Sequence, residues 1–240
     1  MLSASTSLPC LRTPKDAGML ERNATAGPTR NVVVITAVVL GLGACVAFDP
    51  WFAHQGLARA DGTSGKQGDL YSLLRVMGYV PTWLFVGLAL LLCRRVSNRL
   101  DINNFLWSFA PFFSCAIAGG LAAVLKIVFR RTRADQVDGA WYVFRPLVER
   151  PFSGSGLSMP SEHAAVAFGA AFMLSRMYPR GWPVFVLLGV GCAVTRIYSA
   201  DHYLSDVYVA AIVGYITAWA LVRHFGRRDQ PLLLEEAEPT

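Results

Sequence analysis

Charged residues are scarce in this sequence. Only 16% of its 240 residues are Asp, Glu, Lys or Arg, whereas 54% are hydrophobic and the mean hydropathy is +0.41. Soluble globular domains carry about 25% charged residues. The shortage of charge argues against a soluble enzyme and predicts an all-α, polytopic membrane helix bundle.

A cysteine framework is also lacking. The five cysteines are an odd number, four of them lie inside apolar runs and no two have C-x-x-C spacing; they are Cys10, Cys45, Cys93, Cys115 and Cys192. Disulfide scaffolds need paired cysteines, and structural zinc sites need closely spaced ones. We therefore predict no disulfide framework and no metal site, and no pattern indicates a bound cofactor.

The net charge of +6 raises the question of a nucleic-acid partner. The cations, however, fall mainly beside apolar segments, where a membrane protein carries the charges that set its orientation. The sequence therefore predicts a bilayer as the environment of the chain and argues against nucleic acid as a partner. It gives no information on the oligomeric state.

Six apolar runs predict six transmembrane helices. They cover residues 32–48, 76–93, 105–125, 160–177, 182–199 and 202–222. The basic loop at Arg94, Arg95 and Arg99 is predicted to be cytoplasmic by the positive-inside rule. With six spans, both termini then lie on the cytoplasmic side.

The domain organisation follows from these runs. Residues 1–30 are predicted to form a disordered cytoplasmic leader, residues 31–225 a six-helix membrane domain, and residues 226–240 a cytoplasmic tail. Asp49-Pro50 is predicted to end the first helix, and residues 52–71 to form a solvent-facing loop.

A polar stretch, residues 195–206, separates the last two apolar runs. It holds Arg196, His202 and Asp206, which are costly to keep at a membrane boundary without a role. If its second half is helical, His202 and Asp206 lie at i and i+4 on one face, where the carboxylate can orient the imidazole and stabilise its charged form. A polar collar at the water interface is the alternative that these residues alone leave open.

The six-helix topology brings three polar stretches to one end of the bundle. The end of helix three, the start of helix four and the polar stretch between helices five and six would all lie on the non-cytoplasmic side. The residues gathered there are Lys126, Arg133, Ser161, His163, Arg196 and His202. A basic run on that side opposes the positive-inside rule and calls for either an anionic ligand or a local structural explanation. Arg130 and Arg131 would contact a second phosphate or, more simply, anchor to lipid phosphates.

These three stretches carry a resemblance to a known family. Residues 126–133 resemble a K-x6-R-P motif, residues 160–163 resemble P-S-G-H, and residues 195–206 resemble S-R-x5-H-x3-D. In this order and spacing they resemble the signature of the type 2 phosphatidic acid phosphatase superfamily, over about residues 70 to 225. The resemblance implies that the six-helix domain is a membrane phosphatase acting on a phosphomonoester or pyrophosphate of a lipid.

The sequence departs from the family pattern at three positions. Ala134 replaces proline, Thr195 replaces serine and Glu162 replaces glycine. Glu162 matters most, because it brings a negative charge towards an anion site and a Cβ to a position where glycine lets the backbone approach phosphate. We expect its side chain to point away from the ligand, where it would favour the helix dipole.

The resemblance also implies roles for the site residues. His202 would attack phosphorus to give a phosphohistidine, Asp206 would hold its ring, and His163 would protonate the leaving group and then activate water. The phosphate would be bound around the start of helix four by Lys126, Arg133, Ser161, Glu162 and Arg196. The scheme contains no metal ligand set, so the hydrolysis is predicted to be metal-independent.

The location of the site predicts the substrate class. A pocket at the outer end of a membrane bundle receives ligands from the outer leaflet most easily, so a phosphorylated membrane lipid is the predicted substrate. Isoprenyl pyrophosphate, lipid A phosphate, phosphatidylglycerol phosphate and phosphatidic acid all fit the resemblance. We place the protein in a bacterial inner (cytoplasmic) membrane with its site facing the periplasm or exterior. Phosphoryl transfer to another lipid, and binding of lipid phosphates without turnover, stay open as alternatives.

Overall fold

The computed structural model of the protein describes residues 28–60, 68–95, 102–133 and 142–228. In these ranges the regular structure is helical: α1 (Pro28–Ala60), α2 (Asp69–Val76), α3 (Val80–Arg95), α4 (Ile102–Ser108), α5 (Ala110–Phe129), α6 (Glu162–Met177), α7 (Trp182–Tyr198) and α8 (Leu204–Arg228). A 3₁₀ turn, Pro179–Gly181, precedes α7. The all-α class predicted from composition is confirmed.

Several predicted segments fall partly outside the described residues. These are the leader (residues 1–27), the first loop (61–67), the cytoplasmic loop (96–101), the segment after Arg133 that includes Ala134 (134–141), and the tail (229–240). The predictions for these segments stay predictions.

The chain divides into two compact units, residues 1–43 and residues 44–240. In the first unit, the described residues belong to α1 and carry exposed apolar side chains such as Val33, Ile35 and Leu40. A helix surrounded by lipid has such a surface. The second unit contains the rest of α1 and all the other described elements.

The prediction that Asp49-Pro50 ends the first helix was wrong. The helix α1 runs through Pro50 to Ala60, so residues 52–60 are helical and not a loop. Proline has no N–H for the carbonyl of residue i−4, which here is Val46. The hydroxyl of Tyr142 donates to that carbonyl at 2.6 Å. Because a distant side chain takes over the freed carbonyl, the helix continues past its proline.

The second predicted span, residues 76–93, is also not one continuous helix. The helices α2 and α3 are bent by 73° at residues 77–79. Pro81 is the second residue of α3, where the missing N–H costs no helical hydrogen bond. A Cβ on Gly78 would lie 2.8 Å from the Cβ of His163, so the close approach of the bend to α6 requires glycine there.

The core is built around α6, which packs against α5, α7 and α8. Its buried side chains are mostly small, with alanine at residues 164, 165, 167, 170 and 171. A Cβ on Gly214 of α8 would lie 2.7 Å from the amide nitrogen of Gly169. Small residues at such contacts let membrane helices approach closely, and this packing places the first turns of α6 and α8 side by side.

Four segments of the described chain are long and apolar enough to cross a bilayer: Asn31–His54, Ala110–Phe129, Pro179–Tyr198 and Leu204–Phe225. The bent pair α2–α3 is a fifth candidate. The buried α6 has 16 residues and is not among the candidates. The structure thus supports an integral membrane protein, while six spans with cytoplasmic termini stay a prediction.

Candidate active site

Direct contacts join the three polar stretches at one end of the bundle. Lys126 in the last turn of α5 contacts Glu162 at the start of α6. The amide N–H of Ser161 donates to the main-chain carbonyl of Asp206 at 3.3 Å, which links the starts of α6 and α8. Arg133, after α5, contacts Asp201 in the loop between α7 and α8. The structure therefore brings the three polar stretches together in one site.

Glu162 and Lys126 form an ion pair in this site. The Nζ atom of Lys126 lies 2.6 Å from Oε1 of Glu162, and the lysine side chain is 5% exposed. Glu162 is the first residue of α6, where a carboxylate favours the helix dipole as expected. Its side chain nevertheless reaches one of the predicted phosphate ligands. The charge of Lys126 is thus partly neutralised by the residue that replaces the family's glycine.

Two buried side chains near the start of α6 have donors without partners. Ser161 precedes α6, is fully buried, and its Oγ makes no hydrogen bond; nor do Nε and Nη1 of Arg196, which is 4% exposed. The first N–H groups of a helix also lack intrahelical partners. A hydroxyl, a guanidinium edge and a helix N-terminus are the donors that bind phosphate in proteins.

Asp201 holds two of the predicted phosphate ligands in an open cluster that consists of Arg133, Arg196 and Asp201. Its Oδ1 lies 3.1 Å from Nη1 of Arg133, and its Oδ2 lies 2.5 Å from Nη2 of Arg196. Burial alone would raise the pKa of Asp201, but the hydrogen bond from Ser199 and the charges of Arg196 and Arg133 hold it below its ordinary value. Asp201 is therefore ionised and forms ion pairs with both guanidinium groups.

His202 lies in the loop before α8, so the prediction that a helix begins at about His202 was wrong by two residues. Its ring is 2% exposed, and its Nδ1 lies 3.7 Å from Oδ2 of Asp206, which is too long for a hydrogen bond. Oδ2 instead accepts the N–H of Tyr203 at 2.8 Å. This bond caps the first turn of α8, because Tyr203 directly precedes the helix and Asp206 is its third residue.

Burial lowers the pKa of His202, although the neighbouring Asp206 opposes this effect. The ring is therefore neutral at neutral pH, which is the state that a nucleophilic imidazole requires. Tyr79 at the α2–α3 bend packs edge-on against the second imidazole, His163, with ring centroids 5.1 Å apart. His163 is the second residue of α6.

Behind His202 lies a buried cluster of four residues: Asp49, Arg131, Ser205 and Asp206. Nη1 of Arg131 lies 3.1 Å from Oδ1 of Asp206, and its Nη2 lies 3.1 Å from Oδ2 of Asp49. Asp49 also accepts hydrogen bonds from the amide and the hydroxyl of Ser205, at 2.8 and 2.5 Å. All four side chains are nearly inaccessible to solvent.

The prediction that Arg130 and Arg131 contact a second phosphate or lipid phosphates was wrong. Arg131 belongs to the buried cluster, and Arg130 is 4% exposed. Arg130 donates to four main-chain carbonyls of the following loop, those of Arg145, Pro146, Glu149 and Pro151. Both arginines therefore bind groups of the protein itself and are not free to contact lipid phosphates.

Sequence reasoning missed Asp49 and Asp201 as site residues. Asp49 directly follows the first apolar run, where a carboxylate at the membrane is itself a functional signal, but the following proline favoured a helix end. Asp201 directly precedes His202 in the polar stretch, and its proximity to the histidine was the available signal. Among the described residues, no three His, Cys, Asp or Glu side chains are grouped as a metal site.

A groove of about 350 Å³ opens beside His163. Its polar end is formed by Glu162 and His163. The remainder is lined by the α2–α3 bend, residues 78–81, together with Ala116, Gly119 and Gly120 of α5 and Val166 of α6. A Cβ on Gly120 would have no neighbour within 4 Å, so this glycine borders open space and does not serve a helix contact.

Curated proteins with similar sequences are phosphatases. The chain is 31% identical over 138 residues to the lipid A 4'-phosphatase of Bacteroides thetaiotaomicron, covering 49% of this chain and 56% of that protein. It is 34% identical over 113 residues to the lipid A 1-phosphatase of Rhizobium johnstonii, covering 45% and 42%. It is also 34% identical over 110 residues to the decaprenylphosphoryl-5-phosphoribose phosphatase of Mycobacterium tuberculosis, covering 46% and 56%.

The matched region spans about half the length of each of these relatives. No solved structure matches the chain. A family model described as the PAP2 superfamily matches residues 107–230, which is just over half of the chain and includes all three polar stretches. The chain therefore belongs to the PAP2 superfamily.

Proposed function

We propose that this protein is an integral-membrane phosphatase that hydrolyses a phosphomonoester or pyrophosphate of a lipid through a phosphohistidine intermediate. The observation that carries the proposal is the set of buried, unpartnered donors on Ser161 and Arg196, at the same end of the bundle as His202. Donors that are buried without partners are costly unless they bind a ligand. A phosphoryl group, with its three charged oxygens, matches them in geometry and sign.

The first step forms the bond between His202 and phosphorus. Nε2 of the neutral imidazole attacks phosphorus while the ester oxygen leaves on the opposite side, taking a proton from His163, which the negative charge of the bound phosphate keeps protonated. Arg196, Arg133 and the start of α6 stabilise the charge on the equatorial oxygens. Asp206 stabilises the positive charge that develops on the ring.

The second step breaks that bond. His163, now neutral, takes a proton from a water molecule as its oxygen attacks the phosphohistidine. The P–N bond breaks, inorganic phosphate leaves, and His202 returns to its neutral form. Every proton in the cycle moves through His163 or water, and side chains of the protein supply the positive charge on the phosphoryl oxygens, so we propose that the hydrolysis is metal-independent.

The groove beside His163 supports a lipid as the leaving group. Because His163 protonates the departing oxygen, the alcohol part of the substrate must lie next to it, and the groove there is mostly apolar. The relatives are named as phosphatases of lipid A and of a decaprenylphosphoryl sugar phosphate. A chain-bearing phosphate is therefore the proposed substrate class.

The main test measures phosphate release by purified protein in detergent. The substrate panel consists of lipid A phosphate, isoprenyl pyrophosphate, phosphatidylglycerol phosphate and phosphatidic acid. We expect release from one class by the wild type and none by His202→Ala. Release by a folded His202→Ala variant would contradict the mechanism. A phosphorylated lipid product in place of free phosphate would instead favour the phosphotransferase alternative.

The groove is tested on the same substrates. Gly120→Leu places a side chain in the groove. It should therefore lower kcat/KM for long-chain phosphates more than for a short-chain analogue. Ile117→Leu, on an exposed face of the same helix, is the control and should leave both unchanged. Equal losses for long and short chains would argue against a chain-binding groove.

A specific observation favours binding without turnover as the second candidate. The pairing of Lys126 with Glu162 removes one positive charge from the phosphate site. If this pairing silences the protein, Glu162→Gly should create phosphate release where the wild type has none. If the wild type releases phosphate, the alternative of binding without turnover is wrong.

We also propose six transmembrane helices with both termini in the cytoplasm and the site facing the periplasm or exterior of a bacterial inner membrane. The arginines at residues 94, 95 and 99 support this orientation by the positive-inside rule. Labelling of single cysteines from outside intact cells tests it. A cysteine at Ser155, in the loop after α5, should react with an impermeant reagent, whereas one at Arg180, before α7, should not.

A further inference from the structure

A buried carboxylate of α1 reaches the catalytic end of the bundle. Asp49 lies outside the residues matched by the family model and is 0% exposed. Its Oδ1 accepts the amide N–H of Ser205, and its Oδ2 accepts the Ser205 hydroxyl and lies 3.1 Å from Arg131. An intramembrane carboxylate with so many partners has a defined geometry and is not an accidental polar residue.

Arg131 connects Asp49 to Asp206 by contacting both carboxylates. Its guanidinium group lies over the rings of Tyr203 and Tyr142, 3.7 and 4.6 Å from their centroids. One amino group lies 3.1 Å from Asp49, and the other lies 3.1 Å from Asp206 and 2.7 Å from the Ser205 hydroxyl. With both amino groups bonded and the rings of Tyr203 and Tyr142 beside it, the guanidinium group is held in place.

Asp206 is consequently held at both carboxylate oxygens. Oδ1 contacts Arg131, while Oδ2 accepts the N–H of Tyr203 and faces Nδ1 of His202 at 3.7 Å. Its rotation is fixed, so Oδ2 can approach the ring only in one direction. A shift of His202 by a few tenths of an ångström brings Nδ1 into hydrogen-bond range of Oδ2.

The buried cluster also determines how much negative charge Asp206 presents to the His202 ring. Arg131 lies 3.1 Å from both carboxylates, so its positive charge is divided between Asp49 and Asp206. Without the charge of Asp49, Arg131 would neutralise Asp206 alone. The imidazole would then gain less stabilisation as it becomes positive during attack on phosphorus.

We propose that Asp49 is a positioning residue of the phosphatase, which acts through Arg131 and Asp206 to hold and polarise His202. The inference rests on the proposed function for its catalytic consequence. Asp49 itself does not touch substrate, and its effect on the ring is transmitted through the two intervening side chains. Nothing in the family match assigns it such a role, since it lies more than fifty residues before that match begins.

The test is Asp49→Asn in the full-length protein, with Ser114→Ala as the matched control. Ser114 is also buried and its hydroxyl donates to Gly169 at 2.8 Å, in the packing of α5 against α6. We expect Asp49→Asn to lower kcat by about 10- to 100-fold with KM within about twofold, because the nucleophile is misplaced and not the phosphate. Asp49→Glu, which keeps the charge, should recover part of the rate.

The second readout is the titration of His202, followed by NMR of histidine-labelled protein and assigned with His202→Gln. The pKa of His202 should fall in Asp49→Asn, since a negative charge is lost, and stay unchanged in Ser114→Ala. The ionisable groups that face this ring from the surrounding elements are Asp206, Lys126, Arg196, Asp201 and His163. None of them is altered in either variant.

The outcomes separate the proposal from its alternatives. A folded Asp49→Asn protein with unchanged kcat and unchanged His202 titration would overturn it. Loss of folded protein in Asp49→Asn, while Ser114→Ala folds, would also overturn it in favour of a purely structural role. The titration needs no substrate, so it remains decisive even if the protein hydrolyses no member of the lipid panel.

Discussion

Two Asp–Arg clusters flank His202, and they differ in their access to water. In the buried cluster, the side chains of Arg131, Asp49 and Asp206 are 0–2% exposed. In the open cluster, those of Arg133 and Asp201 are 28% and 22% exposed, whereas that of Arg196 is 5% exposed, so water reaches this cluster from the side of Arg133 and Asp201. Buried ion pairs are expensive to break, whereas exposed pairs exchange with water and solutes at little cost.

This difference suggests two duties for the same residue types. The buried cluster is closed to solvent, and in the proposed mechanism it holds His202 in place from behind. In the proposed mechanism, the substrate's phosphate replaces Asp201 as the partner of the guanidinium groups in the open cluster. We therefore propose that the buried cluster positions His202 and that the open cluster binds phosphate.

The largest effect is expected at the residue between the clusters. His202→Ala should lower phosphate release by about 10⁴-fold or more, because it removes the nucleophile. The protein should stay folded, since His202 lies in a loop and not in the helix core. Far-UV circular dichroism and size-exclusion chromatography check the fold beside the activity assay. Substantial activity in the folded variant would show that the attacking group lies elsewhere.

The clusters themselves should differ most clearly in stability. Arg131→Gln leaves two buried carboxylates without a cation and should cost about 3–5 kcal/mol. Arg133→Gln should cost about 1 kcal/mol or less, because its pair is partly exposed. Unfolding by sodium dodecyl sulfate in mixed micelles, followed by circular dichroism, compares the two variants. Equal losses would remove the distinction between a positioning and a binding cluster.

The open cluster was largely predictable from the sequence, and the buried one was not. Arg133 and Arg196 belong to polar stretches whose spacing already indicated an anion site. Asp49 and Arg131 lie 82 residues apart, and neither spacing nor periodicity reveals that they meet. Local rules also misplaced the end of α1, because the hydroxyl that satisfies the carbonyl freed by Pro50 comes from Tyr142.

The helices show the same limit. Apolar runs predicted the helical class and the approximate position of most helices. They did not predict the 73° bend between α2 and α3, because the bend depends on the approach of Gly78 to His163. A sequence pattern indicates which residues of a segment are buried, but not which distant segment they contact. The site is formed by such long-range contacts.

A moderate effect is expected when Asp201 is neutralised. Asp201→Asn removes the anion that competes with phosphate for Arg133 and Arg196. Inorganic phosphate or vanadate should then inhibit about three- to tenfold more tightly. Ser199→Ala, which removes the hydroxyl's hydrogen bonds to Asp201 and to the main-chain carbonyl of Arg196 but keeps the Asp201 charge, is the milder control. Weaker inhibition in Asp201→Asn would mean that the carboxylate organises the guanidinium groups for phosphate and does not compete with it.

The smallest predicted effect is the acid dependence of stability contributed by the open cluster. The pKa of Asp201 is held below its ordinary value in the folded protein. A lowered folded-state pKa stabilises the protein above the ordinary pKa of about 3.9, and this contribution disappears as the pH falls through the lower folded-state value. Wild type should therefore be more stable than Asp201→Asn at about pH 6, by less than about 1 kcal/mol, and the gap should close towards about pH 3. Melting temperatures of both proteins across this range measure it, and a gap that widens on acidification would show that Asp201 is not the stabilised anion of the cluster.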